Sequence, residues 1–450
     1  MPIMNELRMT CAKAPSTCAV RTPAKLIASI LLASLVGLPS CSSPPKLAPA
    51  KRQLITESGA VGDSLTLNTA AIQKAIDALA NHGGGTLVIP KGEFLSGAIF
   101  FKPGVNLHFD KGAVLKGSTN IADYPEMETR IEGHYQVWIP ALLNASNVDH
   151  LRITGEGTIA GGGEPFWNAF LRPAGGARRI TNLDAKRPRN IFIRDSKDVR
   201  ISGLSLRESG FWNLHLFRCQ DVLVENLDIR APLRTPSTDG MDIDSCQNVM
   251  VRGCYISVND DNIVIKGNKG TSALDDKTIP PDEHIRIENC EFGLGNAALT
   301  VGSEATTVRD VVIENCRLTG TNRNCVLKLK LRPDTEEHYE NITARNITVS
   351  NAAAQLVSIQ PWTQYFDLQG RPAPNQLVTN ITLENISGAL HDFGRIEGPA
   401  KSTVQGITFK NCDITLRIPT VVTRNVKDLR FDNLKINGAP YLGDPGSSAK

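Results

Sequence analysis

Residues 285–318 read IRIENCEFGLGNAALTVGSEATTVRDVVIENCRL and contain two copies of one short pattern. In each copy apolar residues alternate with polar ones, an Asn interrupts the alternation, and the apolar residues then resume, as in Ile285-x-Ile287-x-Asn289-Cys290-x-Phe292. Alternation places every second side chain on one face of a strand. Because Asn tolerates the left-handed backbone of a turn, each copy predicts a strand, a turn and a second strand.

The same pattern recurs along most of the chain, with Asn or Gly at the turn. The turn positions are Gly203, Asn226, Gly253, Asn289, Asn315, Asn346, Asn385, Asn411 and Asn433, at intervals of 23, 27, 36, 26, 31, 39, 26 and 22 residues. One such repeat buries its apolar face only by stacking on the next. The sequence therefore predicts an all-β fold, a parallel β-helix, since a β-sandwich does not repeat a turn residue in phase.

The segment before the repeats has a helical period. Residues 69–79 place Ile72, Ala75, Ile76 and Leu79 on one face, which predicts an amphipathic helix. Asn68 is the expected N-cap and the glycines at 83–85 the expected stop. Since the open end of a solenoid must be covered, we expect this helix to be an N-terminal cap. Strands are expected to begin at residues 86–89, and residues 51–450 are expected to form one domain.

Residues 1–41 have the features of a secretory signal. Arg21 and Lys25 precede an apolar run that ends in Leu38-Pro39-Ser40-Cys41, which resembles a bacterial lipobox. We expect export to the periplasm, to the outer membrane as a lipoprotein lipidated at Cys41, or to the medium. Ordinary cleavage before residue 51 is the alternative. The Pro- and Ser-rich residues 42–50 predict a linker.

Charge and cysteine usage restrict the function. Residues 1–41 hold four of the 49 basic and one of the 46 acidic residues, so 45 of each remain after them. A nucleic-acid binder held by a bulk positive field is therefore excluded. Seven of the ten cysteines follow residue 41, and the chain contains no CxxC pair. An odd number without zinc-type spacing favours cysteines packed in a stacked core over a disulfide framework.

Three aspartates in neighbouring repeats are separated by about one coil of chain. Asp239 lies 13 residues after Asn226, and Asp260 and Asp261 lie seven and eight residues after Gly253. Asp239 precedes Asp260 by 21 residues, close to one coil, so we expect all three carboxyls to meet across adjacent coils. Crowded carboxylates repel, which raises the pKa of one and leaves the others ionised. That division serves acid–base hydrolysis of a glycosidic bond; a metal site or solvated turn acids are the alternatives.

Basic residues gather further along the chain. Lys328 and Lys330 alternate with leucines and therefore point to one face. Lys328 lies 13 residues after Asn315, the same offset that places Asp239 in its own repeat. Two cations beside a carboxylate cluster suit an anionic sugar. Ion pairing with the acids themselves is the alternative.

These motifs resemble those of the family 28 glycoside hydrolases, the polygalacturonases. The matching segments are Ser237-Thr238-Asp239-Gly240-Met241-Asp242, Asn259-Asp260-Asp261, Gly302-Ser303, Lys328-Leu329-Lys330 and Gly155-Glu156-Gly157-Thr158-Ile159. The resemblance implies a right-handed parallel β-helix that hydrolyses pectic, galacturonate-containing chains with inversion. It implies that Asp260 is the general acid and that Asp239 and Asp261 hold and activate the water. An inverting geometry predicts carboxyls about 6.5–9.5 Å apart.

Three positions depart from the family pattern. Ser237 stands where the family has Asn, Asn296 where it has His, and Lys328 where it has Arg. Lysine lacks the planar fork with which arginine binds a carboxylate. Because all three aspartates are present, we still expect hydrolysis, with Asn296, Lys328 and Lys330 binding substrate.

Two longer features bear on the substrate. Segment 268–283 resembles bacterial members that trim chain ends or act on rhamnogalacturonan, because an inserted loop can close one end of a cleft. The aromatic residues Trp362, Tyr365 and Phe366 are candidates for a sugar-stacking surface, with core or loop packing as the alternative.

Two other functions are compatible with the same fold. A pectate-lyase-type enzyme would use calcium and a basic residue to eliminate rather than hydrolyse, and a catalytically inactive β-helix would only bind acidic polysaccharide. The sequence has no obvious calcium ladder, and we expect no metal and no other cofactor. The expected partner is an acidic polysaccharide or oligosaccharide, with no nucleic acid, a membrane contact only through lipid on Cys41, and a monomeric chain.

Overall fold

The computed structural model describes residues 51–172 and 181–443. The expected signal at residues 1–41, its Cys41 and the linker at residues 42–50 lie outside the described residues and stay predictions. None of the helices in the described part has the length and apolar character needed to span a membrane.

Parallel strands stack into three ladders, and a complete coil contributes one strand to each ladder. The first ladder contains Arg52–Leu54, Gly85–Ile89, Val105–Phe109, Arg152–Gly155, Lys197–Ser202, Gln220–Glu225, Gln247–Arg252, Asp282–Glu288, Thr307–Leu318, His338–Val349, Leu377–Glu397, Thr403–Lys410 and Lys427–Asp432. The second contains Asp63–Leu67, Gly92–Ser96, Ala113–Gly117, Thr158–Ala160, Ser205–Arg207, Asp228–Arg230, Tyr255–Ser257, Glu291–Phe292, Asp413–Ile418 and Lys435–Ile436, and the three longest strands of the first ladder continue into it.

The third ladder, here called the site ladder, positions the functional residues. It contains Ile99–Phe100, Leu143–Ser146, Ile191–Arg194, Leu214–Phe217, Met241–Asp244, Ile263–Lys266, Leu299–Val301, Cys325–Leu331, Gln355–Pro361, the end of Leu377–Glu397 and Val422–Arg424. The inward side chains of all three ladders form one apolar core that runs from Ile55 to Ile436. The predicted parallel β-helix is confirmed.

The turn residues behave as the repeat pattern predicts. Asn289 and Asn315 have φ of 56° and 54°, in the left-handed region. The Nδ2 of Asn346 donates to Oδ1 of Asn315 at 3.1 Å, so the turn residues of stacked coils also bond to one another. The seven cysteines after residue 41 are buried and unpaired, as expected for residues packed in a stacked core.

The predicted first helix is present as Thr69–Asn81, with its four apolar residues buried against the main core. The expectation that strands begin only after it is wrong, because Arg52–Leu54 and Asp63–Leu67 precede it and pair with the next coil. Its role as a cap stays a prediction.

Asn68 does not cap the first helix with its side chain. Its amide oxygen accepts from Val61 N at 2.7 Å, and its Nδ2 donates to Thr66 O at 2.7 Å and to Leu95 O at 3.2 Å. The side chain therefore fixes the connection before the helix instead.

Among the described residues, four short helices and three further strands do not belong to the parallel ladders. The helices are Ile55–Ser58, Ile121–Asp123, Glu164–Leu171 and Asn182–Asp184. Met127–Ile131 and His134–Trp138 form an antiparallel hairpin, and the short strand Ala439–Pro440 pairs antiparallel with the end of the second ladder. The hairpin projects from an early coil and contributes to the functional cleft.

Candidate active site

The three aspartates meet at the start of two adjacent strands of the site ladder. Asp239 precedes Met241–Asp244, and Asp260 and Asp261 precede Ile263–Lys266. The backbone N of Gly240 donates to Asp261 O at 3.0 Å, which sets the two loops in register. One carboxyl oxygen from each aspartate lies within 4.8 Å of the others. The expected meeting of the carboxyls across one coil is confirmed.

This approach is closer than the separation of about 6.5–9.5 Å that we expected from an inverting geometry. A water molecule nevertheless fits between two of the oxygens, because one water donates hydrogen bonds to two acceptors that are about 4.5 Å apart. The spacing is therefore suited to holding a single water between carboxylates.

The protein gives the three carboxyls different acidities. Burial raises the pKa of Asp239, and the charges of Asp260 and Asp242 raise it further. Burial and the charge of Asp261 likewise raise the pKa of Asp260. Burial also opposes ionisation of Asp261, but Lys330 and Lys328 outweigh it and lower the pKa of Asp261 to about 2. One carboxylate is thus ionised beside two that hold protons more readily, as acid–base catalysis requires.

The two lysines lie beside Asp261. Lys330 Nζ donates to Asp261 Oδ2 at 2.7 Å, and Lys328 Nζ lies 4.0 Å from Asp261 Oδ1. Lys328 Nζ also donates to Asn296 O at 3.0 Å. Both ammonium groups line the cleft. The structure therefore contains the ion pairing that was the alternative to substrate binding, and it leaves both lysines within reach of a ligand.

Asn296, at the position of the family histidine, contacts the expected general acid. Its Nδ2 donates to Asp260 Oδ1 at 2.8 Å, and its backbone N donates to Asp260 O at 2.9 Å. A hydrogen bond donated to a carboxylate favours the ionised form. Asn296 therefore orients Asp260 and limits how far its pKa rises.

Three converging carboxylates are also a donor set that can hold a divalent cation. Here the ammonium of Lys330 contacts Asp261 at 2.7 Å, and that of Lys266 lies 3.9 Å from Asp239. These positive charges repel a cation at the same place. The arrangement fits proton transfer better than metal binding or calcium-dependent elimination.

Sequence reasoning missed a buried cation behind the carboxylates. Lys266 is 5% exposed, and its Nζ lies 3.1 Å from Glu304 Oε2, 3.7 Å from Asp242 Oδ1 and 4.6 Å from the ring centre of Trp212. The strand alternation that places Lys328 and Lys330 outward also applies to Lys266, so a signal for it exists in the sequence.

Loops from distant parts of the chain form the walls of the cleft. Glu132, at the turn of the hairpin, lies 3.5 Å from Lys269 in the predicted inserted segment. The next residue, Gly270, donates its N–H to Thr335 Oγ1 at 2.9 Å. Asn182 lines another side. No sequence motif predicts the contribution of Glu132, because the hairpin lies more than a hundred residues from the aspartates.

The cleft contains about 740 Å³ of space, part of it open to solvent. It is lined by Glu132, Asn182, Trp212, Ser237, Asp239, Asp260, Asp261, Lys266, Lys269, Asn296, Ser303, Glu304, Lys328, Lys330, Arg332, Trp362, Gln364 and Tyr365. The six predicted catalytic and substrate-binding residues are all in this set. Trp362 and Tyr365 are in it as well, whereas Phe366 is not.

Known proteins resemble the chain over most of its length. The family model for glycosyl hydrolases family 28 matches residues 81–438. A probable polygalacturonase from Vitis vinifera is 28% identical over 381 residues, covering 80% of this chain and 74% of the relative. An exo-poly-alpha-D-galacturonosidase from Dickeya chrysanthemi is 26% identical over 446 residues, covering 86% of this chain and 72% of the relative.

A solved structure supports the fold. An exopolygalacturonase from Thermotoga maritima has a TM-score of 0.70 at 22% identity, covering 87% of this chain and 93% of that one. With the carboxylate cluster in its cleft, the chain is a glycoside hydrolase of the polygalacturonase type, and it belongs to glycosyl hydrolases family 28.

Proposed function

We propose that this chain removes sugars from one end of galacturonate-containing pectic polysaccharide or oligosaccharide, with inversion at the anomeric carbon. Asp260 acts as the general acid on the leaving oxygen, and Asp239 and Asp261 hold and activate the water. The convergence of three differently acidic carboxyls at the floor of one walled cleft carries the proposal.

The burial of the three aspartates supports this assignment. Asp260 is half-buried, whereas Asp239 and Asp261 are 4% and 1% exposed. The more accessible carboxyl, with its raised pKa, is the one that can reach a glycosidic oxygen while protonated. The two deeper carboxyls are placed to accept hydrogen bonds from a small molecule such as water.

The walls of the cleft support action at a chain end. An endo-acting enzyme needs a groove through which a polymer can run in both directions. In this chain Glu132 and Lys269 both line the cleft and contact each other, and the N–H of the adjacent Gly270 donates to Thr335, which ties the inserted segment in place beside the cleft. Tyr365 lines the cleft further along, and Arg332 Nη2 donates to its backbone O at 2.8 Å. The relative from Dickeya chrysanthemi is itself named as an exo-acting enzyme.

The test is a product analysis on polygalacturonate, on reduced-end oligogalacturonides and on rhamnogalacturonan. We expect mono- or disaccharide from the first time point, little loss of viscosity, and a product whose anomeric configuration, read by proton NMR, is inverted. A rapid fall in viscosity would refute the exo mode, and a retained anomer would refute inversion. An unsaturated, ultraviolet-absorbing product would establish a lyase, and binding without cleavage would establish the inactive β-helix. The Asp260→Asn variant is the matched control.

A second proposal concerns where the protein acts. We propose that the chain is exported, that Cys41 carries a lipid which holds it at the outer membrane, and that it acts there as a monomer on fragments of cell-wall pectin. The signal-like pattern before Cys41 supports this proposal.

A further inference from the structure

A single buried lysine lies among three carboxyls behind the water-binding aspartates. The charged groups that face it, or that face its partners, are Asp239, Asp242, Asp260, Asp261, Glu304, Lys269, Lys330, Arg189 and Arg332. Among the described residues, Lys266 is the only cation within 4.0 Å of Asp239. Its indole neighbour, Trp212, covers the ammonium group and excludes solvent from one side.

The three carboxyls around Lys266 differ in acidity. Lys266, Lys269 and Arg332 outweigh burial and hold the pKa of Glu304 well below its usual range. Asp242 is fully buried, neither of its carboxyl oxygens accepts a hydrogen bond from the described residues, and burial raises its pKa well above the usual range. The ammonium group lies 3.1 Å from Glu304, 3.7 Å from Asp242 and 3.9 Å from Asp239, so its charge acts on all three carboxyls.

The basicity of Asp239 depends on how strongly the charge of Lys266 acts on it. Its burial and the nearby charge of Asp260 both favour the neutral carboxyl, which cannot accept a proton from water. A moderately raised pKa makes a carboxylate a better base, but an excessive rise leaves it protonated at the working pH. The positive charge of Lys266 limits this rise in the pKa of Asp239.

We propose that Lys266 is a positioning residue of the hydrolytic reaction: its ammonium group, 3.9 Å from Asp239, holds that carboxyl in place and favours its ionised form against burial, and Glu304 sets how strongly that positive charge acts on Asp239. The inference rests on the proposed role of Asp239 in activating water. It assigns no contact between Lys266 and the substrate.

Two variants test this proposal, because they should move the acid limb of the kcat profile in opposite directions. Lys266→Met removes the cation while keeping a long apolar chain. The pKa of Asp239 then rises, and the acid limb of the kcat profile moves to higher pH by about 1–3 units. Glu304→Gln removes the competing anion. Asp239 then receives more of the lysine charge, and the acid limb moves to lower pH by about one unit or less.

Lys269→Met is the matched control, because this lysine approaches Glu304 at 4.0 Å and Glu132 at 3.5 Å but has no ion pair with Asp239. It removes the same charge from the same cleft. Its acid limb should move far less than that of Lys266→Met, whatever its effect on kcat.

The rates are measured as total reducing ends released, so the position of the limb is independent of exo or endo action and of inversion. Carbon-13 NMR of the Asp239 carboxyl, identified by its loss in Asp239→Asn, reports the same pKa without substrate. The inference would be overturned if the acid limb and the NMR titration of Asp239 stayed in place in both variants, or if they moved in the same direction in both. A rise in KM on acidic substrate with an unmoved limb would make Lys266 a substrate ligand instead. An inactive wild-type chain whose Asp239 titration still shifts as expected would overturn only the proposed function.

Discussion

Replacing Lys330 with Ala separates two roles of this lysine by pH. Lys330 is 9% exposed, its Nζ donates to Asp261 Oδ2 at 2.7 Å, and the same atom lies 4.8 Å from the ring centre of Trp362. One of its three N–H donors serves Asp261, which leaves others for a sugar carboxylate. The substitution therefore removes a stabilising charge from Asp261 and a binding group from the substrate at once.

The first effect is confined to low pH. A cation within 4–6 Å typically lowers the pKa of a carboxyl by about 1–3 units. Without Lys330, the pKa of Asp261 therefore rises from about 2 toward about 3–5. Above about pH 7 Asp261 is ionised in both proteins, because a carboxyl is almost fully deprotonated when the pH is two units above its pKa. On that plateau the loss of Lys330 acts only through the substrate.

The second effect is a loss of binding to the uronate carboxylate. Hydrogen bonds to charged groups contribute about 1.5–3 kcal/mol, so kcat/KM on a galacturonide should fall by about one to two orders of magnitude on the plateau. A matched galactoside has no carboxylate to lose and should change little there. High salt should reduce the difference, because a partly exposed charge contact is screened.

The assay is kcat/KM for both glycosides between pH 3 and 8, at low and high salt. Thermal unfolding at each pH is the control, because breaking a buried ion pair typically costs about 3–5 kcal/mol of stability. Equal losses on the two glycosides across the plateau, in a folded variant, would refute substrate binding by Lys330. The lysine would then act only through Asp261.

Other substitutions test separate parts of the molecule. Asp260→Asn should lower kcat by at least about 10²–10⁴-fold while substrate binding is kept, and near wild-type turnover in a reducing-sugar assay would exclude Asp260 as the general acid. Asn296→Ala removes the N–H donated to Asp260 Oδ1, so the pKa of Asp260 should rise and the basic limb of the pH–rate profile should move up by about one unit or less; an unmoved limb would contradict this role. Cys41→Ser should release the protein from the membrane fraction, and unchanged partition would mean that Cys41 carries no lipid. Arg130→Met leaves Asp244 buried without its partner at 2.9 Å and should destabilise the fold by about 3–5 kcal/mol in urea unfolding; a loss under about 1 kcal/mol would contradict the importance of this pair.

The repeat made the fold predictable from sequence, but the pattern used only one of its two turns. The Asn and Gly positions are conspicuous because one residue type recurs. A second left-handed residue precedes each of them by five positions, as Asp221, Asn248, His284 and Asp310 show with φ between 54° and 58°. Seven of the nine residues at this second position are Asp or Asn, which tolerate the left-handed region. The sequence therefore carries a signal for the second turn as well, spread over two residue types.

The same logic explains which site residues could be predicted. In a solenoid, residues about one coil apart in sequence lie close together in space, so the 21-residue spacing of Asp239 and Asp260 brought them together by counting. Glu132 reaches the cleft on a hairpin outside the repeat, and no offset predicts that.

Lys266 lies between these two cases. Alternation along its strand places it outward, on the side of the aspartates, but a single lysine at a strand end is ordinarily solvated. Trp212, two coils earlier, and Glu304, in the next coil, help to bury its charge. Because the ammonium group of Lys266 is buried, it has a large effect on the pKa of Asp239 from a distance of 3.9 Å. The influence of Lys266 on the reaction therefore arises from packing between coils, which becomes visible only when the coils are stacked.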